Sequence, residues 1–264
     1  MMEPIAKPAT NNRNELVAIY FIWKRELIRF LRSKSRVIGS LALPFFMLAI
    51  LGTGLNSVMS GLSNMRGGYL GFITPGILSM VLLTGSILSG VQVIMDRQFG
   101  FLKETLVAPV KRTSIVIGKA LGGATTAVIQ GVLMLFIALI FGSKMNLANL
   151  PLVILLMCLV SFTLVSLGIA IASLMEDMHG FQLIINFLIM PMFFLSGALF
   201  PLDSAPKIVQ YASFIDPLTY AVEAFRFFMI GSSTMNIFVS VGVLATFAVL
   251  TTFSAAYLFN RIES

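Results

Sequence analysis

The sequence predicts an all-α integral membrane protein: six transmembrane helices, an N-terminal interfacial amphipathic helix, and a re-entrant outer helical hairpin before the last span. Three observations predict it. Only 11% of the 264 residues are charged and the mean hydropathy is +0.96, whereas a soluble domain is about 25% charged. Six uncharged runs each reach the roughly 20 residues that a spanning helix needs. One stretch, Met95–Lys119, crowds Asp96, Arg97, Lys103, Glu104, Lys111 and Arg112 together. Each charge at the centre of a bilayer costs about 3 kcal/mol, so this stretch reads as a water-exposed loop.

Residues 1–13 are polar with two prolines and read as a flexible tail. Residues 14–36 read as the interfacial helix. Leu16, Tyr20, Trp23, Leu27 and Leu31 fall at helical spacing on one side, and Arg25, Arg29, Arg32 and Arg36 step by 4, 3 and 4 on the other. That pattern suits a helix in the headgroup layer, its cations towards lipid phosphates. Residues 37–264 form the six-span unit, with spans expected near 37–58, 70–94, 115–141, 151–174, 181–200 and 235–259. With the N-terminus inside, fourteen Lys and Arg lie on the cytoplasmic side against four outside. The positive-inside rule therefore puts both termini in the cytoplasm of a multi-pass protein of the cell (inner) membrane.

The charged loop then lies on the cytoplasmic side between spans two and three. Over about 98–110 it reads as a short helix with Phe99, Leu102, Leu106 and Val110 on one face, ended by Pro109. Such a helix can insert into a cleft on a soluble partner or lie on the lipid surface. Thr113 or Ser114 can cap the third span. Glu176 and Asp177, in the other internal turn, can contact a partner or stay solvated. His179 beside Gly180 reads as a turn residue. Gly118 with Gly122, and Gly52 with Gly54, permit close helix contacts. Span five is rich in Phe and Met, with Pro191 inside it.

The segment from about 201 to 231 is too apolar for a plain loop, and each half is too short to span. Asp203 or Ser204 can start one helix, with Pro206 in its first turn. Asp216 followed by Pro217 is an N-cap with a first-turn proline. Two short helices that dip into the outer leaflet and return are expected. Glu223 and Arg226, three apart, can pair on the second.

Several function classes are excluded. A single Cys158 permits no internal disulfide, and a single histidine with no carboxylate or cysteine cluster argues against a bound metal. The net charge of +7 reports membrane orientation and not nucleic-acid binding. No G-x-x-x-x-G-K-[ST] occurs, so the chain has no visible means of hydrolysing ATP. An intramembrane enzyme would need a nucleophile and base at one depth. A stand-alone secondary transporter stays open as a lesser alternative; it would show repeats between its halves, and none is visible. A membrane scaffold would not need the hairpin.

Three stretches carry a resemblance. They are the basic helix before span one, the segment Phe101–Pro109 (FLKETLVAP), and Phe194–Pro201 (FLSGALFP) followed by Asp216–Pro217 and Glu223–Ala224–Phe225–Arg226. In these the chain resembles the membrane-spanning permease of type-2 ABC exporters, its FLSGALFP form best fitting the drug-export branch. The resemblance implies a non-catalytic subunit exporting an apolar or amphipathic substrate such as a drug or lipid, or alternatively a polysaccharide or glycolipid. It implies pairing with a second copy or a related permease within membrane lipid, and a separate ABC ATPase subunit that holds ATP and Mg²⁺. No cofactor is expected on this chain. By position, Phe101, Lys103, Glu104, Leu106 and Pro109, with Glu176 and Asp177, would couple to the ATPase. Ser196, Gly197, Pro201, Asp216, Pro217, Glu223 and Arg226 would form an outer gate.

Overall fold

The computed structural model describes residues 12–55, 68–99 and 110–261, which are helical throughout with no strand among them. The helices are α1 (Asn12–Arg32), α2 (Lys34–Met47, continued by a wider π-type turn over Leu48–Thr53), α3 (Gly68–Leu88), α4 (Val91–Gln98), α5 (Arg112–Ile140), α6 (Leu150–Ser173), α7 (Met178–Leu195), α8 (Lys207–Ser213), α9 (Pro217–Ile230) and α10 (Ile237–Asn260). Five helical stretches are long and apolar enough to cross a membrane: Gly68–Gln98, Arg112–Ile140, Leu147–Ser173, Met178–Leu195 and Ile237–Asn260. Among the described residues, the expected first span reaches that length only together with α1, from which it is bent by 68°; counted as one span, this pair would be a sixth.

The bundle is built on α6, which packs against α10, α5 and α3. Between apolar helices in lipid the hydrophobic drive is weak, so close backbone contact does the work. Small residues supply it. A Cβ on Gly90 would lie 2.5 Å from the Gly168 carbonyl oxygen, and one on Gly168 would lie 2.6 Å from that of Ile87. The α3–α4 break and α6 thus touch backbone to backbone. Around these contacts Leu82, Leu83, Phe181, Phe225 and Phe259 are fully buried.

The helix α5 spans about 1.5 Å per residue, so its 29 residues run from one end of the bundle to the other. Its first half carries α1 alongside. Gly118 and Gly122 allow the approach, since a Cβ at Gly122 would stand 2.6 Å from Glu26 Cβ. The small pair anticipated in span three therefore receives the amphipathic helix. A Cβ on Gly52 would meet the Leu70 side chain at 2.5 Å, while one on Gly54 would meet no described atom within 4 Å. At the far end, Asn146 N–H donates to Met229 O at 2.7 Å and Asn149 Nδ2 to Phe228 O at 2.9 Å. These bonds tie the α5–α6 connection to the end of α9.

Two short helices, α8 and α9, stand where the hairpin is expected. Asp216 accepts from Leu218 N at 2.9 Å as N-cap, with Pro217 at the first helical position. Gly231 ends α9 at φ 67°, a left-handed conformation that costs glycine nothing. The first start is different from expectation. Pro206 is the N-cap of α8, and Asp203 sits in a separate turn of 3₁₀ helix.

Candidate functional site

Two polar clusters stand out, one at each end of α5. At the end that carries α1, a buried ion network joins three helices. Asp96 on α4 is 3% exposed and accepts from Lys119 Nζ on α5 and from Arg25 Nη2 on α1 at 2.8 Å. Arg29 approaches the same carboxylate at 3.5 Å and donates to Gln92 Oε1 at 3.2 Å. Glu26 lies 3.7 Å from Arg25 and 3.8 Å from Arg29.

This network corrects two expectations. Asp96 and Lys119 are not in a water-exposed loop; both are helical and buried. The cost of a lone charge in an apolar setting drops when several opposite charges surround it with hydrogen bonds. Arg25 and Arg29, with side chains 39% and 34% exposed, do not serve the headgroup layer alone; both reach inward to Asp96. Arg32 alone of the basic face is exposed, and the side chain of Arg36 lies outside the described residues. Correspondingly Leu16, Tyr20 and Leu31 face outward. Trp23 is half-buried, its indole N–H donating to Thr125 Oγ1 on α5 at 3.0 Å.

The start of α5 is also held by α1. Neither Thr113 nor Ser114 caps it; Lys111 is the N-cap residue, and Glu15 from α1 supplies the acceptors. Its carboxylate accepts from Lys111 N at 3.1 Å and from Ser114 Oγ at 2.5 Å. Negative charge is favoured at a helix N-terminus. The Ser114 hydroxyl, and after it the Lys111 N–H and charge, hold this carboxyl below its ordinary range, with partial desolvation pulling the other way.

The residues expected to couple to a partner are split. Phe101, Lys103, Glu104, Leu106 and Pro109 lie outside the described residues. Glu176 is exposed and 3.7 Å from Arg97, and its carbonyl accepts from Gln98 Nε2 at 3.3 Å. The 174–177 turn therefore adjoins the end of α4. Asp177 is engaged as the N-cap of α7, accepting from Gly180 N at 2.6 Å.

At the other end of the bundle, Arg226 donates to Glu223 Oε1 at 2.5 Å and to the Gly197 carbonyl at 3.0 Å, and its guanidinium stacks 4.1 Å above the Phe72 ring. The other oxygen of Glu223 accepts from Thr234 N at 2.7 Å, Thr234 Oγ1 at 3.0 Å and Ser233 Oγ at 3.2 Å. One buried pair thus fastens α9 to α3, to the turn after α7 and to the α9–α10 connection. Gly197 is left-handed at φ 71°, and Ser196 donates to Phe193 O at 2.7 Å. The next residue, Ala198, sits against Gly76 of α3 so closely that a Cβ there would lie 2.4 Å from Ala198 O. Pro201 opens the 3₁₀ turn. Ser196, Gly197, Glu223 and Arg226 are brought together; Asp216 and Pro217 stand at the opposite end of α9, where they start the helix. Beside them an apolar cavity of about 380 Å³ lies between α6, α7, α10 and the hairpin, lined by Phe187, Pro191, Met192 and Ile215 among others.

The model of the ABC-2 type transporter family matches residues 17–230. Among curated relatives, the "Putative transport permease ycf38" of Cyanophora paradoxa is 31% identical over 221 residues, covering 81% of this chain and 75% of its own length. The "Nodulation protein J" of Rhizobium leguminosarum bv. trifolii is 25% identical over 246 residues, 91% of this chain and 92% of that one. The "Inner membrane transport permease YadH" of Escherichia coli (strain K12) is 25% identical over 235 residues, 88% and 91%. The chain is a multi-pass membrane protein and belongs to the ABC-2 type transporter family.

Proposed function

We propose that this ABC-2 type permease is the non-catalytic membrane subunit of an ATP-driven exporter. Its substrate would be apolar or amphipathic, a drug or lipid, leaving the cytoplasm or the inner leaflet of the cell membrane. ATP and Mg²⁺ would be held by a separate ATPase chain. The observation that carries this reading is the buried network Asp96–Lys119–Arg25–Arg29. It joins α1, α4 and α5, and α4 and α5 are the helices that flank segment 100–109 in sequence, so a push on that segment would reach three helices at once.

In mechanism, segment 100–109 docks on the cytoplasmic ATPase, with Phe101, Leu106 and Pro109 shaping the helix and Lys103 and Glu104 as polar contacts. Glu176 flanks the same surface. Closure of the ATPases displaces this lever, and α4 and α5 move with α1 as one packed unit. The far end answers through α5, which carries the connection bonded to α9. The Glu223–Arg226 latch, Gly197 and the Asp216–Pro217 start form the outer gate. Two copies would pair in the membrane, with both termini inside the cell. Exposed apolar side chains on α2 and α7, Phe46 and Ile50, Phe187 and Phe194, suit a second copy or lipid.

The test is purification of the tagged chain from its native membranes in mild detergent, followed by mass spectrometry of its companions. An ATPase carrying G-x-x-x-x-G-K-[ST] is expected in stoichiometric amount. Glu104→Lys should lose that companion while still inserting. A wild-type chain that purifies without any such ATPase would overturn the reading.

A further inference from the structure

Glu26 sits in the ion network without a hydrogen bond of its own. It is 4% exposed, yet neither carboxylate oxygen has a hydrogen-bond partner among the described residues. Oε1 stops 3.7 Å from Arg25 Nη2, and Oε2 stops 3.8 Å from Arg29 Nη1. Both gaps exceed the roughly 2.7–3.2 Å of an N–H···O bond. A buried carboxylate left in that condition is costly. Arg25 Nε, on the neighbouring residue, is likewise buried with no acceptor. Arg25, Arg29 and Lys119 are all drawn to Asp96 instead.

The packing around the cluster says which part can move. The helix α1 lies along α5, and a Cβ at Gly122 would stand 2.6 Å from Glu26 Cβ and 2.9 Å from its Cγ. The helix α4 packs on α6 and α7, and it reaches α1 through Asp96 and Gln92. Arg25, Arg29, Lys119 and Glu26 are therefore carried by one closely packed helix pair, while Asp96 arrives from a separate helix. Helix displacements in switching proteins are about 1–2 Å. A shift of that size stretches the 2.8 Å Arg25–Asp96 bond beyond hydrogen-bonding range. An approach of about 1 Å by either arginine then closes its gap to Glu26. A cavity of about 10 Å³, lined by Glu26, Lys119, Ser89 and Gln92 among others, leaves Glu26 and Lys119 room to meet.

We propose that Glu26 is a positioning residue, a second carboxylate to which Arg25, Arg29 and Lys119 pass when α4 is displaced. The cations then stay compensated, and α1, α4 and α5 stay packed as the lever moves. The displacement of α4 rests on the export reading; the second acceptor does not.

The acceptor is tested on the permease alone, by thermal unfolding in detergent of wild type, Glu26→Gln, Asp96→Asn and the double variant. Asp96→Asn should fold, because Glu26 takes its cations. The double variant should fail to fold, or melt below the sum of the two single losses by about 4 °C or more. A smaller excess, or an Asp96→Asn chain that does not fold, would overturn the second acceptor. The hand-over is tested in the complex with the co-purified ATPase, by chymotrypsin cleavage within residues 14–32 at rest and after trapping with ATP and vanadate. Trapping should speed cleavage of Glu26→Gln about fivefold more than it speeds cleavage of wild type. The same ratio in both would overturn the hand-over. Absence of a co-purifying ATPase would overturn the export reading, and the unfolding cycle would still decide whether Glu26 is an acceptor.

Discussion

Breaking the Glu223–Arg226 latch gives the most discriminating stability experiment. Removing one partner of a buried ion pair costs about 3–5 kcal/mol because the other charge is left uncompensated. The two sides of this pair differ. After Arg226→Met, Glu223 keeps its hydrogen bonds from Thr234 N, Thr234 Oγ1 and Ser233 Oγ. That variant should fall near the lower figure. After Glu223→Met, Arg226 keeps, among the described residues, the Gly197 carbonyl and the face of Phe72, so the upper figure is expected. Replacing both with Met removes both charges, and such exchanges are often close to neutral. The double variant should therefore be more stable than either single one. At about 2–4 °C per kcal/mol for a chain of this size, the singles should melt roughly 6–20 °C below wild type. The assay is thermal unfolding of the detergent-solubilised chain, read as a double-mutant cycle. Additive losses, or single variants melting within 2 °C of wild type, would refute the reasoning.

Two other outcomes follow from the α1–α5 contact. Gly122→Leu should drive a side chain into Glu26, whose Cβ is already 2.6 Å from a Cβ placed there; overpacking of this kind costs about 1–3 kcal/mol. Limited proteolysis within residues 14–32 should then accelerate, and an unchanged cleavage pattern would contradict the contact. Glu15 titrates below its ordinary value of 4.5, so its stabilising effect is complete above that pH and is lost as pH falls through the lowered value. Glu15→Gln should loosen α1 at neutral pH and flatten the response to acid; an acid response identical to wild type would show that Glu15 does not carry it.

What the sequence made legible was local. Asp216–Pro217 is a helix start written in adjacent residues, and Glu223–Arg226 is a pair at three-residue spacing; both stand as expected. The ion network was not legible, because Asp96 meets Arg25 across 71 positions and Lys119 across 23. The cost of one charge in lipid led to a loop assignment for both Asp96 and Lys119. The sum over five mutually compensating charges led the chain to bury them. The regular step of Arg25 and Arg29 was read correctly as one helical face, but periodicity does not say what that face meets. Gly118 and Gly122 were the available clue: a notch on α5 implies a helix seated in it, and α1 was the amphipathic candidate. Glu15 as the cap of another helix left no sequence signature, since its acceptors serve the Lys111 N–H and the Ser114 hydroxyl, 96 and 99 positions away.

The most direct measurement is ATP-dependent uptake into vesicles containing the chain and its co-purified ATPase, comparing wild type with Asp96→Asn. Loss of that carboxylate leaves Lys119 and Arg25 without their shared partner. The expected result is an intact complex that still hydrolyses ATP but moves little substrate, with no uptake by either chain alone. Full uptake by Asp96→Asn, or uptake by the permease without an ATPase, would contradict the coupling of segment 100–109 to the bundle through this network.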